Sequence, residues 1–163
     1  AVSDTVYQIA GLRSTIKWPN DVKVAGRKVS GILMETSMEA SGPGYAVVGI
    51  GLNVNLDPSR HPEVASVATS LRSQMGRPVD RNTVALTLLR RLDELYLAVA
   101  GGRSLTQPWS ERLETLGRTV HVRWGDRVVA GRASGVDEEG NLIVTQPDGT
   151  EVPVVAGEVT LQE

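Results

Sequence analysis

Cysteine and phenylalanine are both absent from this chain of 163 residues, aromatic residues make up only 4% of it, and there are two histidines, His61 and His121. The missing cysteines exclude disulfides, thiolate zinc sites and cysteine nucleophiles together, and they suit a reducing, cytoplasmic setting. Two histidines without cysteine leave no material for a histidine-rich metal site. No apolar run approaches the roughly 18 residues that a membrane span requires, and no short apolar segment follows a basic start. Neither sign of charge dominates, because 17 basic residues face 19 acidic ones for a net −2. A broad nucleic-acid surface would carry a basic excess, so none is expected in this chain. The glycine-rich phosphate loop ending in Gly-Lys-Ser/Thr and the Gly-x-Ser-x-Gly nucleophile elbow are also missing.

What remains is an ordinary globular composition, 40% hydrophobic and 22% charged, in a chain sized for one moderate domain plus a small one. Val2, Val6, Ile9 and Ala10 recur at helical spacing and Gly11 stops them, so the chain opens inside an apolar-faced helix and reads as a fragment. From Ser14 the pattern turns to strands: 14–18, then 21–24 and 27–36 around the two-residue turn Ala25-Gly26. A loop is expected at Met38–Gly44. The apolar run Tyr45–Val54 that follows suits a central strand buried on both faces. Short helices are expected over 66–75 and 105–116. The strongest helix lies between them, capped by Asp80, striped by Val84, Leu88, Leu92, Leu95 and Val99, and ended by Gly101-Gly102. Past Gly117 the period becomes two, and five short strands (119–124, 127–136, 141–146, 151–155, 158–161) joined by tight turns predict a small β-barrel. The expected division is therefore an α/β portion over 1–115, with a mixed sheet and flanking helices, and a barrel over 116–163.

Of the 17 cations only three are lysines, and Lys17, Lys23 and Lys28 fall within twelve positions of one another. Arginine is the default surface cation here, so the cluster asks what a compact ammonium does that a planar fork cannot: enter a tight site and press on one oxyanion. Around it stand Lys17-Trp18-Pro19-Asn20-Asp21 and Gly26-Arg27-Lys28-Val29-Ser30-Gly31-Ile32-Leu33. On pattern alone, Asn20 and Asp21 serve equally as turn formers, and Lys28 as a charge that guards a sheet edge. Downstream, Gly49-Ile-Gly51-Leu-Asn53 lacks the third glycine and the following helix of a dinucleotide fingerprint. Those glycines either pack a strand or let a flat ligand approach the backbone. Trp18 suits core packing or a pocket wall equally.

Lys-Trp-Pro-Asn-Asp followed by a Lys-x-x-Gly-Ile-Leu strand resembles the biotin–protein ligase family, and the later Gly-x-Gly-x-Asn run and terminal barrel lie in matching places. The resemblance implies an incomplete catalytic domain of the class II aminoacyl-tRNA synthetase-like fold, followed by an SH3-like C-terminal domain. It implies activation of biotin by ATP to biotinyl-5′-AMP, then transfer to one lysine of the biotin carboxyl carrier protein of acetyl-CoA carboxylase. Under it, Lys28 touches the biotin carboxylate and the α-phosphate. Asp21 orients or deprotonates the incoming lysine, or holds Mg²⁺. Gly31, Gly49 and Gly51 floor the biotin pocket, while Lys17, Asn20, Asp21 and Asn53 serve the nucleotide. Asn55 only begins a loop. Homodimers through the sheet occur in such ligases. The family's Arg-rich loop over the adenylate has no counterpart in these residues, so the chain by itself is expected to be inactive or nearly so. Two other outcomes stay open: a lipoate–protein ligase-like acyl transferase, and a non-catalytic module that binds biotin or its carrier.

Overall fold

The protein was analysed as a computed structural model, which describes residues 1–39, 42–125 and 127–161. It is an α+β chain whose ladders within 21–52 and 119–161 are antiparallel, with isolated parallel bridges at Lys28↔Ala68 and Ile16↔Leu113. Two compact units divide it: Ala1–Ser14 with Asn20–Leu95, and Thr15–Pro19 with Tyr96–Glu163. This contact-defined division differs from the sequence-expected 115/116 boundary, because a five-residue segment near the start groups with the C-terminal part.

In the first unit α1 (Val2–Ala10) buries Val2, Thr5 and Val6, and Gly11 ends it in the left-handed conformation with φ 67°. Its Asp4 accepts a 2.8 Å bond from Nε of Arg91. Next come β2 (Asp21–Val24), β3 (Arg27–Glu39) and β4 (Gly42–Leu52); the label β1 is kept for Thr15–Lys17 of the second unit. Ala25 and Gly26 both take positive φ, 49° and 75°, and this twist closes a two-residue hairpin. The strands outrun the loop expected at Met38–Gly44, since Met38 pairs with Pro43 and Glu39 with Gly42. Ala40 and Ser41 of that loop lie outside the described residues.

The expectation for Tyr45–Val54 is overturned. This strand is the last in its sheet, and Tyr45, Val47 and Val48 are each at least half exposed. An apolar run does not by itself require burial on both faces. In fact one face carries Ile50 and Leu52 to the core, while the other is lined by Gly49 and Gly51. Short α2 (Leu71–Met75) starts on Ser70, whose hydroxyl accepts from Ser73 N–H, so the helix expected from 66 begins later. Long α3 (Arg81–Ala100) starts on Asp80, which accepts from the Thr83 amide at 2.9 Å. Val84 is the stripe residue that α3 buries fully, and Leu88 packs beside it, whereas Val99 is half exposed. Val2, Val6, Val22, Val24, Val29, Leu71 and Val84 form this unit's core.

In the second unit β5 (Thr119–Trp124), β6 (Arg127–Val136), β7 (Leu142–Thr145), β8 (Glu151–Val154) and β9 (Glu158–Leu161) pair in the order β8-β7-β6-β5-β9. Val120, Val122, Ala133, Leu142, Val144, Val154 and Val159 come from all five strands into one cluster, so the sheet wraps around a shared interior. Trp18 belongs to this cluster, 2% exposed, with its indole N–H donating to the Gly140 carbonyl at 3.0 Å and its amide to the Thr115 hydroxyl. It is core packing. Helix α4 covers only Thr106–Ser110 of the stretch expected to be helical.

Candidate active site

Strand alternation decides which residues share a surface. Val22, Ser30, Ile32, Ile50 and Leu52 face the core side of the β2-β3-β4 sheet. The opposite face therefore carries the cross-strand partners Asp21 and Gly31, then Gly51 beside Gly31, then Leu33 and Gly49. Gly31, Gly51 and Gly49 make a strip without side chains, and Gly49 and Gly51 are exposed.

One irregularity brings Lys28 onto that face. Val22 pairs with Ser30 and Lys23 with Lys28, so β3 holds an extra residue, Val29, opposite an unbroken β2. Without this bulge Lys28 and Gly31, three positions apart, would point to opposite sides. With it, Val29 and Ser30 both turn inward, 0% and 2% exposed, and Lys28 joins Asp21. The Lys28 backbone is held by a second segment as well: its N–H donates to Val67 and its carbonyl accepts from Thr69, each at 2.8 Å. The bulge leaves the Ser30 hydroxyl buried with no hydrogen-bond partner.

At the end of the glycine strip Lys28 Nζ lies 2.5 Å from Asp21 Oδ1, with the lysine side chain 47% exposed and the aspartate 27%. The ammonium is thus fixed on a carboxylate yet open to a ligand. An ion pair this exposed contributes little to stability, so its geometry matters more than its strength.

The glycines are informative by contrast. A methyl group at Gly49 would meet only the Leu33 carbonyl at 3.7 Å, and at Gly51 only the Gly31 carbonyl at 3.7 Å, both ordinary contacts. In the second unit a methyl at Gly157 would lie 2.5 Å from the Arg123 carbonyl oxygen, and one at Gly131 would collide with the Thr145 carbonyl. Backbone packing explains Gly131 and Gly157. It does not explain Gly49 or Gly51.

The remaining expected site residues do structural work. Asn20 clamps β3, its side-chain amide donating to the Ile32 carbonyl at 2.5 Å while its own carbonyl accepts from Ile32 N–H at 3.1 Å. Asn53 donates its side-chain amide to the Thr69 carbonyl at 3.1 Å. Asn55 does more than begin a loop: it bonds both the N–H and the carbonyl of Val79. Lys17 is half-buried at the end of β1 in the second unit and is not among the groups that alternation gathers around Lys28. Among the described residues no three acidic or histidine side chains converge as a metal cage. A hollow of about 650 Å³ lies in the second unit, lined by Thr119, Arg132, Ser134, Thr145 and neighbours; it contains none of the expected residues. The glycine strip is an open surface instead.

Residues 2–55, which hold this whole face, match the model of the biotin/lipoate A/B protein ligase family, and residues 115–161 match the biotin protein ligase C-terminal domain. The chain belongs to the biotin protein ligase family. It is 32% identical over 152 residues to the bifunctional ligase/repressor BirA of Bacillus subtilis, covering 91% of this chain and 47% of that protein. It is 34% identical to the biotin–[acetyl-CoA-carboxylase] ligase of Paracoccus denitrificans, covering 90% and 62%. Among solved structures, the Aquifex aeolicus biotin protein ligase in complex with biotin and ATP superposes with a TM-score of 0.80 at 28% identity, covering 99% of this chain and 67% of that one. The chain thus spans about half to three-fifths of the length of these curated relatives.

Proposed function

We propose that the glycine face is the biotin and adenylate surface of a biotin–[acetyl-CoA-carboxylase] ligase. In the first step an oxygen of the biotin carboxylate attacks the α-phosphorus of ATP and pyrophosphate leaves. In the second, the ε-amine of a carrier lysine attacks the acyl carbon of biotinyl-5′-AMP. The new amide forms as AMP leaves, and the amine gives up a proton.

The observation that carries this reading is a pair of glycines with room for a Cβ, Gly49 and Gly51, on the face that also carries the exposed Lys28 ammonium. Two anions have to meet in the first step, and negative charge grows on the phosphoryl oxygens as they do. A fixed cation at the meeting point lowers that barrier, with single groups of this kind worth about 10²–10³ in rate. Lys28 supplies it, and the bare strip beside it admits the flat ureido ring and acyl tail of biotin. Asp21 holds Lys28 until substrate arrives and is then free to orient or deprotonate the acceptor amine. Asn20 and Asn53 act at the nucleotide through the backbone segments they clamp.

Mg²⁺ fits this surface only as a companion of ATP. It accepts one or two carboxylates when phosphates and water complete its shell, and Asp21 offers one. The same reading assigns 1–115 to the catalytic portion and 116–163 to an SH3-like domain, with the carrier of acetyl-CoA carboxylase as protein substrate and the cytoplasm as the setting. No described helix is long and apolar enough to cross a membrane. A second copy joins through the sheet, which ends at β4.

The test is pyrophosphate–ATP exchange by the gene product that carries these residues, supplied with biotin or with lipoate at matched concentration. Exchange that depends on biotin is expected. Exchange with lipoate alone makes the protein a lipoate ligase, and biotin binding without exchange makes it a binding module; either overturns the proposal.

A further inference from the structure

We infer that Gly31 is a positioning residue for Lys28 rather than part of the biotin floor, an inference that rests on the ligase reading for its purpose but on geometry for its substance. A methyl built on Gly31 would stand 3.0 Å from Lys28 Nζ, 3.1 Å from its Cε and 3.4 Å from Asp21 Oδ1. Gly31 is thus unlike Gly49 and Gly51, whose added methyls meet backbone alone at 3.7 Å. The surface above Gly31 is already occupied, and its occupant is the Lys28 ammonium.

Two features cooperate. The bulge at Val29 turns Lys28 onto the face of Asp21 and Gly31, and the missing side chain at Gly31 lets the lysine stem lie flat across β3 to reach Asp21. An alanine at 31 leaves the backbone undisturbed, since the atoms it meets are the far ends of flexible side chains. It moves the ammonium instead. A floor role and a positioning role therefore differ in the absence of any ligand: the first leaves the Lys28 ammonium where it is in Gly31→Ala, and the second displaces it relative to Asp21.

Having only three lysines makes the 163-residue chain suitable for side-chain NMR, with Lys17→Arg and Lys23→Arg assigning the Lys28 Nζ resonance by elimination. In the native chain Asp21→Asn is expected to shift that resonance. In Gly31→Ala the resonance itself shifts, and Asp21→Asn moves it by a different amount than in the native chain. Gly51→Ala serves as the control and keeps the native response. A Gly31→Ala chain whose Lys28 resonance stays at its native position and responds to Asp21→Asn as the native chain does overturns the inference. If Gly31→Ala does not fold, Lys28→Ala in the same chain must restore folding by removing the group the methyl strikes; failure to do so overturns it equally. None of these readouts needs biotin or ATP, so failure of the ligase reading is seen separately, in the exchange assay.

Discussion

The two sheets of this protein use glycine for opposite reasons. In the five-stranded sheet of the second unit, Gly131 and Gly157 are there because another strand's backbone passes too close for a Cβ. In the β2-β3-β4 sheet, Gly49 and Gly51 have room for one, and the space stays empty. The five-stranded sheet packs around a core drawn from every strand; the β2-β3-β4 sheet keeps one face for packing and leaves the other bare beside a lysine–aspartate pair. Where packing accounts for a glycine, substitution costs stability. Where it does not, substitution should cost ligand.

Trp18→Ala strikes the second unit hardest. It empties a site that is 2% exposed and orphans the Gly140 carbonyl, so a loss of about 3–5 kcal/mol is expected in denaturant unfolding followed by a probe in β5–β9. Gly131→Ala should follow at about 1–3 kcal/mol, as expected for overpacking. Gly49→Ala and Gly51→Ala sharpen the contrast: their unfolding midpoints stay within about 0.5 kcal/mol of the native chain, as for surface changes, while biotin affinity measured by calorimetry on the gene product falls. Ser30→Ala runs the other way, gaining about 1 kcal/mol because it removes a buried hydroxyl that no partner satisfies.

Much of the architecture was legible because half-buried strands alternate. The burial of β5 and β7 follows the period-two pattern that places Val120, Val122, Leu142 and Val144 inside. Gly26 of the hairpin turn and the Asp80 cap declare themselves through residue types suited to positive φ and to exposed amides, whereas Ala25, at φ 49°, carries no such mark. Other features were not legible. The bulge at Val29 has no local signature, since Lys28-Val29-Ser30-Gly31 reads as an ordinary strand until its register with β2 is known. The bare face of β4 is not legible either, because glycine interrupts an apolar run without marking which side lacks side chains. The grouping of Trp18 with a sheet some hundred residues later is a tertiary fact that no window of sequence contains. Lys28 and Asp21 were found by resemblance; that they pair directly, over Gly31, is what the structure adds.

The smallest expected effect concerns acid stability. The Asp80 carboxyl is held below its ordinary value of 3.8, chiefly by the hydroxyl of Thr83 and then by the Thr83 amide, with Asn82 N–H adding to it. A carboxyl depressed in the folded state stabilises at pH above its ordinary value, and that contribution disappears as pH falls through the lowered one. Asp80→Asn keeps a cap at neutral pH. It should leave the neutral thermal midpoint unchanged and flatten its decline below about pH 4.

The claim on which the rest depends is that the Lys28 ammonium offsets charge as biotin and ATP join. Biotin-dependent pyrophosphate–ATP exchange by Lys28→Arg, on the gene product, tests it most directly. Arginine keeps the charge but is bulkier and aims its hydrogen bonds elsewhere. A fall of about 10²-fold or more, with the unfolding midpoint unchanged, is the predicted result. Exchange at the native rate would contradict the account.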